Sequence, residues 1–299
     1  MLSEIHTKRE YKIGGIHFII FAIGLVLLSG LVHSIWNLFA KNSINKIVFL
    51  WYCQIAAIII FLPFVLVELD RLQNIPMVGW GLIVISMILH GLYVLLLART
   101  YSIGDLSQAY PIMRGTSPLL VPLIGVTFLH EQLTIMGWVG VVIIVLGIMI
   151  IGNLKRISFL DNKVVILAFS VGIMITSYTV VDKLSLRYFS PVMLNEATNI
   201  GNLMALTWLA VKSRELLNEW KVNWRTIILG GLLAPGGYIL FLFSLQIMPL
   251  SQIAPMREIG TVFGTILGVF VLHEQQGKTR IFASVLITLG VILLSNLLI

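Results

Sequence analysis

The sequence predicts an all-α membrane protein with ten transmembrane helices in two inverted five-helix repeats around a central cavity. Three observations lead to this prediction. Of the 299 residues, 58% are hydrophobic and only 11% are charged, which is typical of integral membrane proteins. Ten apolar stretches are each long enough to cross a hydrocarbon core of about 30 Å. One motif occurs twice, once in each half of the chain.

The ten stretches are predicted as helices because lipid cannot satisfy an open backbone, and the runs are too long and too apolar for barrel strands. The first follows Lys8, Arg9 and Lys12. It is too long for a secretory signal and lacks a small-residue cleavage site, so we assign it as span 1. The predicted spans cover residues 16–39, 47–67, 77–98, 106–129, 134–152, 164–181, 192–211, 227–246, 250–272 and 281–299.

The repeated motif joins a Leu-Ser-Gln triplet, a proline, a Met-Arg pair and a His-Glu-Gln triplet. The first copy contains Arg114 and Glu131, and the second contains Arg257 and Glu274 at the same spacing. Each arginine lies inside an apolar segment, where a charge is costly and marks a functional-site hypothesis.

The chain divides into two halves, 1–153 and 154–299, with five predicted spans each. Because five is odd, the second half enters the membrane from the opposite side, so the repeats are inverted. Inverted repeats are typical of secondary transporters, which bind substrate near the midplane between the halves and work by alternating access.

Arg114 and Arg257 are predicted to bind the substrate. By inversion they enter from opposite faces to near mid-depth, where two forked donors could clamp a phosphoryl, phosphonate or carboxylate group. In the alternative, the arginines are neutralised internally, Arg257 by Glu258 or Glu196 and Arg114 by helix carbonyls.

Two acidic residues distinguish the second half. Glu258 has Gly115 as its counterpart, and this asymmetry predicts a polarised site. Glu196 is a candidate protonatable residue of a proton-coupled cycle; alternatively it is solvated at the start of span 7. In that alternative, the asparagines beside it at helical spacing make contacts between helices; they are Asn195, Asn199 and Asn202.

Span 1 carries a polar stripe that is expected to face a cavity, although His33 alone could be a satisfied core histidine. Trp36 and Lys41 of the stripe match Tyr178 and Lys183 of span 6 at the same spacing. The stripe consists of His33, Trp36, Asn37 and Lys41. Weaker candidates are His90, Tyr93 and Tyr238.

The sequence predicts no metal and no cofactor. After His130 and His273, the second histidine of a zinc-protease motif is missing, and no phosphate-binding glycine loop ends in Lys-Ser/Thr. Cys53 is the only cysteine, which excludes a disulfide within the chain. Glu131 and Glu274 are instead predicted to bind the N-terminal amides of the helix that follows each of them.

Several prolines and small residues are assigned to helix geometry. Pro111, Pro118, Pro122 and Pro255 are expected to permit kinks. A ridge of small residues in spans 5 and 10 is expected to join the two halves; it consists of Gly140, Gly147, Ala283 and Gly290.

The net charge of +7 is explained by Lys and Arg residues in short loops beside the membrane, and not by nucleic acid binding. The loops on the side opposite the termini hold about twice as many of these residues, which favours termini outside. The predicted location is the plasma membrane.

Four sets of residues together are typical of a known family. They are His33-Ser34-Ile35-Trp36-Asn37 with Lys41, Tyr110-Pro111 before Arg114-Gly115, Pro255-Met256-Arg257-Glu258, and the two glutamate motifs. With them the chain resembles the EamA-type transporters of the drug/metabolite transporter superfamily over essentially its whole length, with a further similarity to a branch associated with phosphonate utilisation. The resemblance implies a ten-helix basket that moves small metabolites through a central cavity, without indicating which metabolites. Span 1 lacks the glutamate that smaller four-helix relatives use for cations.

The predicted function is secondary transport of a small organic anion or zwitterion, with a coupling proton or a counter-substrate left open. Export of bulky apolar or cationic compounds is the alternative, and an enzyme acting on lipid head groups is a remote one. The expected partners are the substrate and the bilayer, with no nucleic acid, for a monomer or homodimer. The predicted substrate-binding residues are Arg114, Arg257, Glu258, His33, Trp36, Asn37, Lys41, Tyr93, Tyr110, Tyr178, Lys183, Glu196 and Tyr238.

Overall fold

The structure is a computed structural model that describes residues 2–41, 43–103, 106–151, 162–270 and 278–295. Side chains are described within residues 17–36, 43–100, 111–151, 162–268 and 278–295. The described chain is helical apart from short turns. The helices are α1 (Leu2–Lys41), α2 (Lys46–Val67), α3 (Met77–Ile103), α4 (Leu106–Phe128), α5 (Ile135–Ile151), α6 (Asn162–Ser185), α7 (Pro191–Lys212), α8 (Leu216–Ile247), α9 (Leu250–Met256), α10 (Ile259–Phe270) and α11 (Lys278–Leu294), with a 3₁₀ segment at Leu69–Asn74.

Five described helices are long and apolar enough to cross a membrane by themselves. The apolar α5 is shorter, and α4 and α7 carry polar residues within their length, Arg114 and Glu196 among them. An all-helical protein with membrane-spanning helices is therefore confirmed, while the count of ten spans stays a prediction. The five helices contain His17–Trp36, Lys46–Val67, Met77–Thr100, Asn162–Ser185 and Leu216–Ile247.

The ninth predicted span is broken into two helices, α9 and α10, which meet at Arg257 and Glu258. Pro255 has no amide hydrogen for the ladder, and the chain crosses the break with tight turns, in which Gly260 N donates to Arg257 O at 3.1 Å. The corresponding helix of the first half, α4, runs unbroken through its three prolines. The repeats thus differ in backbone as well as in sequence at this position.

Contacts between the halves follow a two-fold pattern. If span 1 corresponds to span 6, span 2 to span 7 and so on, each extensive contact has a counterpart. The packing of α1 on α8 corresponds to that of α3 on α6, and α2 on α8 corresponds to α3 on α7. In three further contacts the two helices are each other's counterparts: α2 with α7, α4 with α9, and α5 with α11. The two halves are therefore interleaved around one shared core.

Helices α5 and α11 are antiparallel and cross at glycines. A Cβ atom at Gly140 would lie 2.7 Å from Gly290 O, and one at Gly147 would lie 3.0 Å from Ala283 O. Partner numbers fall on α11 as they rise on α5, which is the antiparallel arrangement. The predicted small-residue ridge is confirmed at this crossing.

Two glutamates, one in each half, each bind the N-cap residue of a helix in the opposite half. Glu219 on α8 is fully buried and accepts the backbone amide of Asn45, the N-cap of α2, at 2.7 Å. Glu68, at the end of α2, accepts the hydroxyl of Ser190, the N-cap of α7. We call these the α2-start contact and the α7-start contact. They lie at opposite ends of α2, about 33 Å apart for a helix of 22 residues.

Glu131 does not bind the helix that follows it, so this prediction was wrong. Its carboxylate accepts the backbone amides of Leu250 and Ser251 at 2.8 and 2.7 Å, at the start of α9 in the other half. At the start of α5, the hydroxyl of Thr134 accepts a hydrogen bond from the amide of Gly137 at 3.1 Å. The doubled motif therefore bridges the halves: the glutamate of one copy binds the Leu-Ser of the other. Glu274 lies outside the described residues.

Candidate functional site

Arg114 and Glu258 form a buried ion pair that joins the two halves. Arg114 projects from α4, and Glu258 lies at the break between α9 and α10, with Nη1 and Oε1 3.4 Å apart. The arginine side chain is 16% exposed and that of the glutamate 6%. The second carboxylate oxygen, Oε2, is buried and accepts no hydrogen bond from the described residues. The pair is thus charge-balanced but not fully satisfied.

Arg257 is placed differently from Arg114. Its guanidinium carbon lies 4.5 Å from the ring centroid of Phe241 and 5.0 Å from that of Tyr238, both on α8. No ion pair joins Arg257 to a described carboxylate, and its Nε is buried without an acceptor among the described residues. Aromatic faces stabilise a cation only partly, so this guanidinium retains the capacity to bind an anion.

The predicted tyrosines cluster beside Arg257. Tyr178 on α6 packs against Tyr93 on α3 and Tyr238 on α8, with ring centroids 5.4 and 6.4 Å apart. His33 on α1 interacts electrostatically with both Arg114 and Arg257. Tyr178 does so as well. Residues from four helices, drawn from both halves, are therefore gathered around the two arginines.

Asp182 on α6 is the functional candidate that sequence reasoning missed. It is fully buried, and Ser86 and Tyr238 donate their hydroxyls to its carboxylate. Nε2 of His90 lies 2.9 Å from Oδ2 of Asp182, and the His90 ring stacks on Tyr178 with centroids 4.0 Å apart. The site therefore contains a carboxylate and an imidazole in direct contact, next to the aromatic cluster.

Asp182 was missed because span 6 was predicted to end at residue 181, whereas α6 continues to Ser185. A signal was available in the repeat itself. The pair Asp182-Lys183 corresponds to Ala40-Lys41 in the first half, so a carboxylate is present in one copy only. A difference of this kind between matched positions marks a residue that the duplicated scaffold does not require.

Lys183 binds main-chain oxygens. Its Nζ donates to the carbonyls of Leu245 and Met248 at the end of α8, with 3.0 Å to Met248 O. A cation at a helix C-terminus is electrostatically favourable. Together with Glu131 on the amides of α9, it fixes the turn that joins α8 to α9.

Glu196 lies inside the protein and is not solvated at the start of α7, which overturns that alternative. Its side chain is 5% exposed, and it accepts a hydrogen bond from Nδ2 of Asn199 at 3.3 Å. Its other oxygen, Oε1, is buried without a described partner. Asn195 beside it is also buried, with neither polar side-chain atom bonded to a described residue.

Trp36 belongs to a second buried cluster. It stacks on Phe49 of α2 with centroids 5.9 Å apart and packs with Cys53 and Ile227. The side chains of Asn37, Lys41 and Tyr110 lie outside the described residues. Of the predicted binding residues, the structure thus brings His33, Arg114, Arg257, Glu258 and three tyrosines together, and it places Trp36, Lys183 and Glu196 in other surroundings.

The comparisons with known proteins identify the family. A model of the EamA-like transporter family matches the chain twice, over residues 20–153 and 162–296. The chain belongs to the EamA-like transporter family. The resemblance found in the sequence is thereby confirmed, although the match does not distinguish the phosphonate-associated branch. No curated protein matches the chain significantly.

A crystal structure with 15% sequence identity shares the fold of this EamA-like transporter. The similarity covers 93% of this chain and 98% of the other, with a TM-score of 0.73. At this identity the similarity concerns the fold alone.

A cavity of about 670 Å³ lies between α4 and α6, near the ends of both helices. It is lined mainly by apolar side chains, with His130 and Arg187 at its polar part. None of the predicted binding residues of this EamA-like transporter lines it. Arg114 and Arg257 therefore lie outside the lining of this cavity.

Proposed function

We propose that this EamA-like transporter moves a small organic anion or zwitterion across the membrane by alternating access, with Arg257 as the main anion ligand. The observation that carries the proposal is the state of Arg257. Its guanidinium lies against two aromatic faces and forms no ion pair with a described carboxylate. An unneutralised arginine in a membrane protein is costly unless a ligand offsets its charge for part of the cycle.

The ion pair of Arg114 and Glu258 favours a zwitterion over a simple anion. Oε2 of Glu258 is buried and accepts no described hydrogen bond, so it can take an ammonium group. Arg114, already paired, then adds a donor without adding net charge. This modifies the two-arginine clamp expected from the sequence: one arginine carries the free charge, and the other belongs to a neutral pair.

The chemical class follows from these groups. A guanidinium is a planar fork that suits carboxylate and phosphonate oxygens, and aromatic side chains around it exclude water. An aminoalkylphosphonate combines the required anion and ammonium, and the sequence resemblance to a phosphonate-associated branch makes it the first compound to test.

The experiment is uptake of labelled 2-aminoethylphosphonate into proteoliposomes. We expect Arg257→Ala to lower uptake about ten- to a hundredfold, the effect of losing a charge-assisted hydrogen bond. Arg225→Ala is the matched control, because Arg225 also lies over an aromatic ring, Trp224 at 5.2 Å, but is exposed. Wild-type uptake by Arg257→Ala would contradict the proposal.

The alternative of a cation exporter is supported by the same aromatic cluster and by the unpaired oxygens of Glu258 and Glu196. Thermal-shift measurements separate the two functions, because a bound ligand stabilises the folded protein. Stabilisation by quaternary ammonium compounds, with none by carboxylates or phosphonates, would favour the exporter.

A further inference from the structure

A buried carboxylate in contact with an imidazole is the feature that the proposed transport cycle does not yet use. Asp182 is fully buried, and its Oδ2 lies 2.9 Å from Nε2 of His90. Lys183, the next residue, is engaged with the carbonyls at the end of α8. No described lysine or arginine forms an ion pair with Asp182, so its charge has no permanent counterion among those residues.

We propose that Asp182 is a proton-binding site of this transporter, and that it takes up a proton from solvent when the charge of Arg257 is neutralised by a bound anion. The second part rests on the proposed function. The proton binds to Oδ2 of Asp182, which then donates to the neutral Nε2 of His90. Uptake of one anion is in this way matched by uptake of one proton.

The partners of Asp182 can accommodate both of its protonation states. Ser86 and Tyr238 donate hydroxyls to the carboxylate, and a hydroxyl can either donate or accept. A neutral imidazole likewise offers one donor and one acceptor nitrogen. Ser86, Tyr238 and His90 can therefore stay hydrogen-bonded to Asp182 in both of its protonation states. An ion pair with a lysine or arginine could not do this, because those side chains only donate.

Tyr238 links the proton site to the anion site. Its hydroxyl binds Asp182, and its ring lies 5.0 Å below the guanidinium carbon of Arg257. A nearby uncompensated cation favours the ionised carboxylate, and neutralising that cation favours the protonated one. Anion binding at Arg257 and proton binding at Asp182 therefore assist each other, by a coupling that is reciprocal.

The other charged and titratable groups around Asp182 do not replace this link. Arg114 is balanced by Glu258, and Lys183 is balanced by helix carbonyls and by its interaction with Glu131. The tyrosines on the neighbouring helices are hydrogen-bonding or stacking partners. Among the described residues, the charged and titratable groups near Asp182 and its partners include His90 and Tyr93 on α3, Arg114 on α4, Tyr238 on α8, Arg257 and Glu258 after α9, and Tyr178 and Lys183 on α6 itself.

The experiment follows the carboxyl C=O stretch by infrared spectroscopy of the reconstituted protein without substrate, while the pH is lowered. We expect a band of a neutral carboxyl to appear, to be lost in Asp182→Asn, and to change frequency in His90→Gln. Glu219→Gln is the matched control, since Glu219 is equally buried but accepts two fixed donors, Asn45 N and Asn223 Nδ2. That variant is expected to retain the band.

The coupling is tested by Arg257→Gln in the same measurement. Removing the guanidinium should make the neutral-carboxyl band appear at a higher pH, because a nearby cation favours the ionised carboxylate. Arg225→Gln should leave the midpoint unchanged. Because no substrate is present, failure of the anion hypothesis does not affect the result.

Three results would overturn the proposal. One is the absence of a neutral-carboxyl band that depends on Asp182 over the pH range in which the protein stays folded. Another is a band that disappears in Glu219→Gln and persists in Asp182→Asn. The last is an unchanged midpoint in Arg257→Gln. If Asp182→Asn does not fold, the frequency change in His90→Gln still identifies the carboxyl, since only the partner of Asp182 is altered.

Discussion

At the scale of single residues, the arginine of the repeated motif has different surroundings in the two copies. Arg114 is paired with Glu258 across the halves, whereas Arg257, the immediate neighbour of Glu258, is held on aromatic faces. Glu258 is next to Arg257 in the chain, but its ion pair is with Arg114 of the other repeat. A single carboxylate thus neutralises one arginine and leaves the other available.

A double-mutant cycle tests this pairing. Arg114→Met or Glu258→Leu alone leaves a buried charge without its partner, and each should lower the free energy of unfolding by about 3–5 kcal/mol. The double variant should be close to wild type, because both charges are removed together. Reversible unfolding in mixed micelles measures the three variants. Additive losses, with no coupling between the two sites, would show that the ion pair does not form.

The residue scale also shows where sequence reasoning reaches its limit. Comparison of the two halves predicted both arginines, Glu258 and the tyrosines as substrate-binding residues. It could not predict which arginine Glu258 neutralises, since that depends on a helix break of which Pro255 gives only a general indication. Asp182 was missed because a span predicted from hydropathy ends where the first charged residue appears. A helix can nevertheless continue past a buried carboxylate that accepts hydrogen bonds.

At the scale of the helices, close approach at small residues joins the halves. Gly140→Ala places a methyl group 2.7 Å from Gly290 O, a backbone atom that cannot move away cheaply. We expect a clear loss of thermal stability for the purified protein, larger than about 1 kcal/mol. Gly81→Ala is the matched control, because a Cβ there has no neighbour within 4 Å. It should be neutral or slightly stabilising, as alanine favours helices. Equal midpoints for the two variants would contradict the crossing.

The start of α9 gives a second prediction at this scale. Glu131 accepts two amides there, those of Leu250 and Ser251. Glu131→Gln retains the size of the side chain but removes the charge that favours a helix N-terminus. We expect faster hydrogen exchange at these two amides. Glu215→Gln should not change them, because the Glu215 carboxylate accepts a hydrogen bond from Asn218 on the surface. Unaltered protection of both amides in Glu131→Gln would show that the carboxylate does not hold α9.

At the scale of the whole molecule, the two halves are held together at both ends of one helix. The α2-start contact joins Asn45 to Glu219, and the α7-start contact joins Ser190 to Glu68. Both contacts connect the halves, and they lie at opposite ends of α2. The inverted duplication explains the arrangement, since each contact is the counterpart of the other. The order of the spans and the contact between spans 5 and 10 could be predicted from the sequence, but contacts between side chains of distant loops could not.

The proposed alternating access requires these two contacts to open in turn. If the halves rock about the central site, the contact at one end must open while that at the other end is closed, and both must open once in a cycle. Covalent closure of either contact should therefore block transport. We suggest the pairs Glu68→Cys with Ser190→Cys and Asn45→Cys with Glu219→Cys, joined by a short bis-methanethiosulfonate reagent; the native Cys53 is buried.

Each cysteine pair should transport before cross-linking, lose most of its transport afterwards, and recover it on reduction. The control is Glu215→Cys with Asn218→Cys, two positions that are hydrogen-bonded within one segment of the second half and do not move relative to each other when the halves rock. Complete cross-linking of both test pairs without loss of transport would exclude rocking of the two halves as the mechanism. Loss with only one of the pairs would place all the movement at that end of α2, and the symmetry of the duplicated fold would then not extend to its motion.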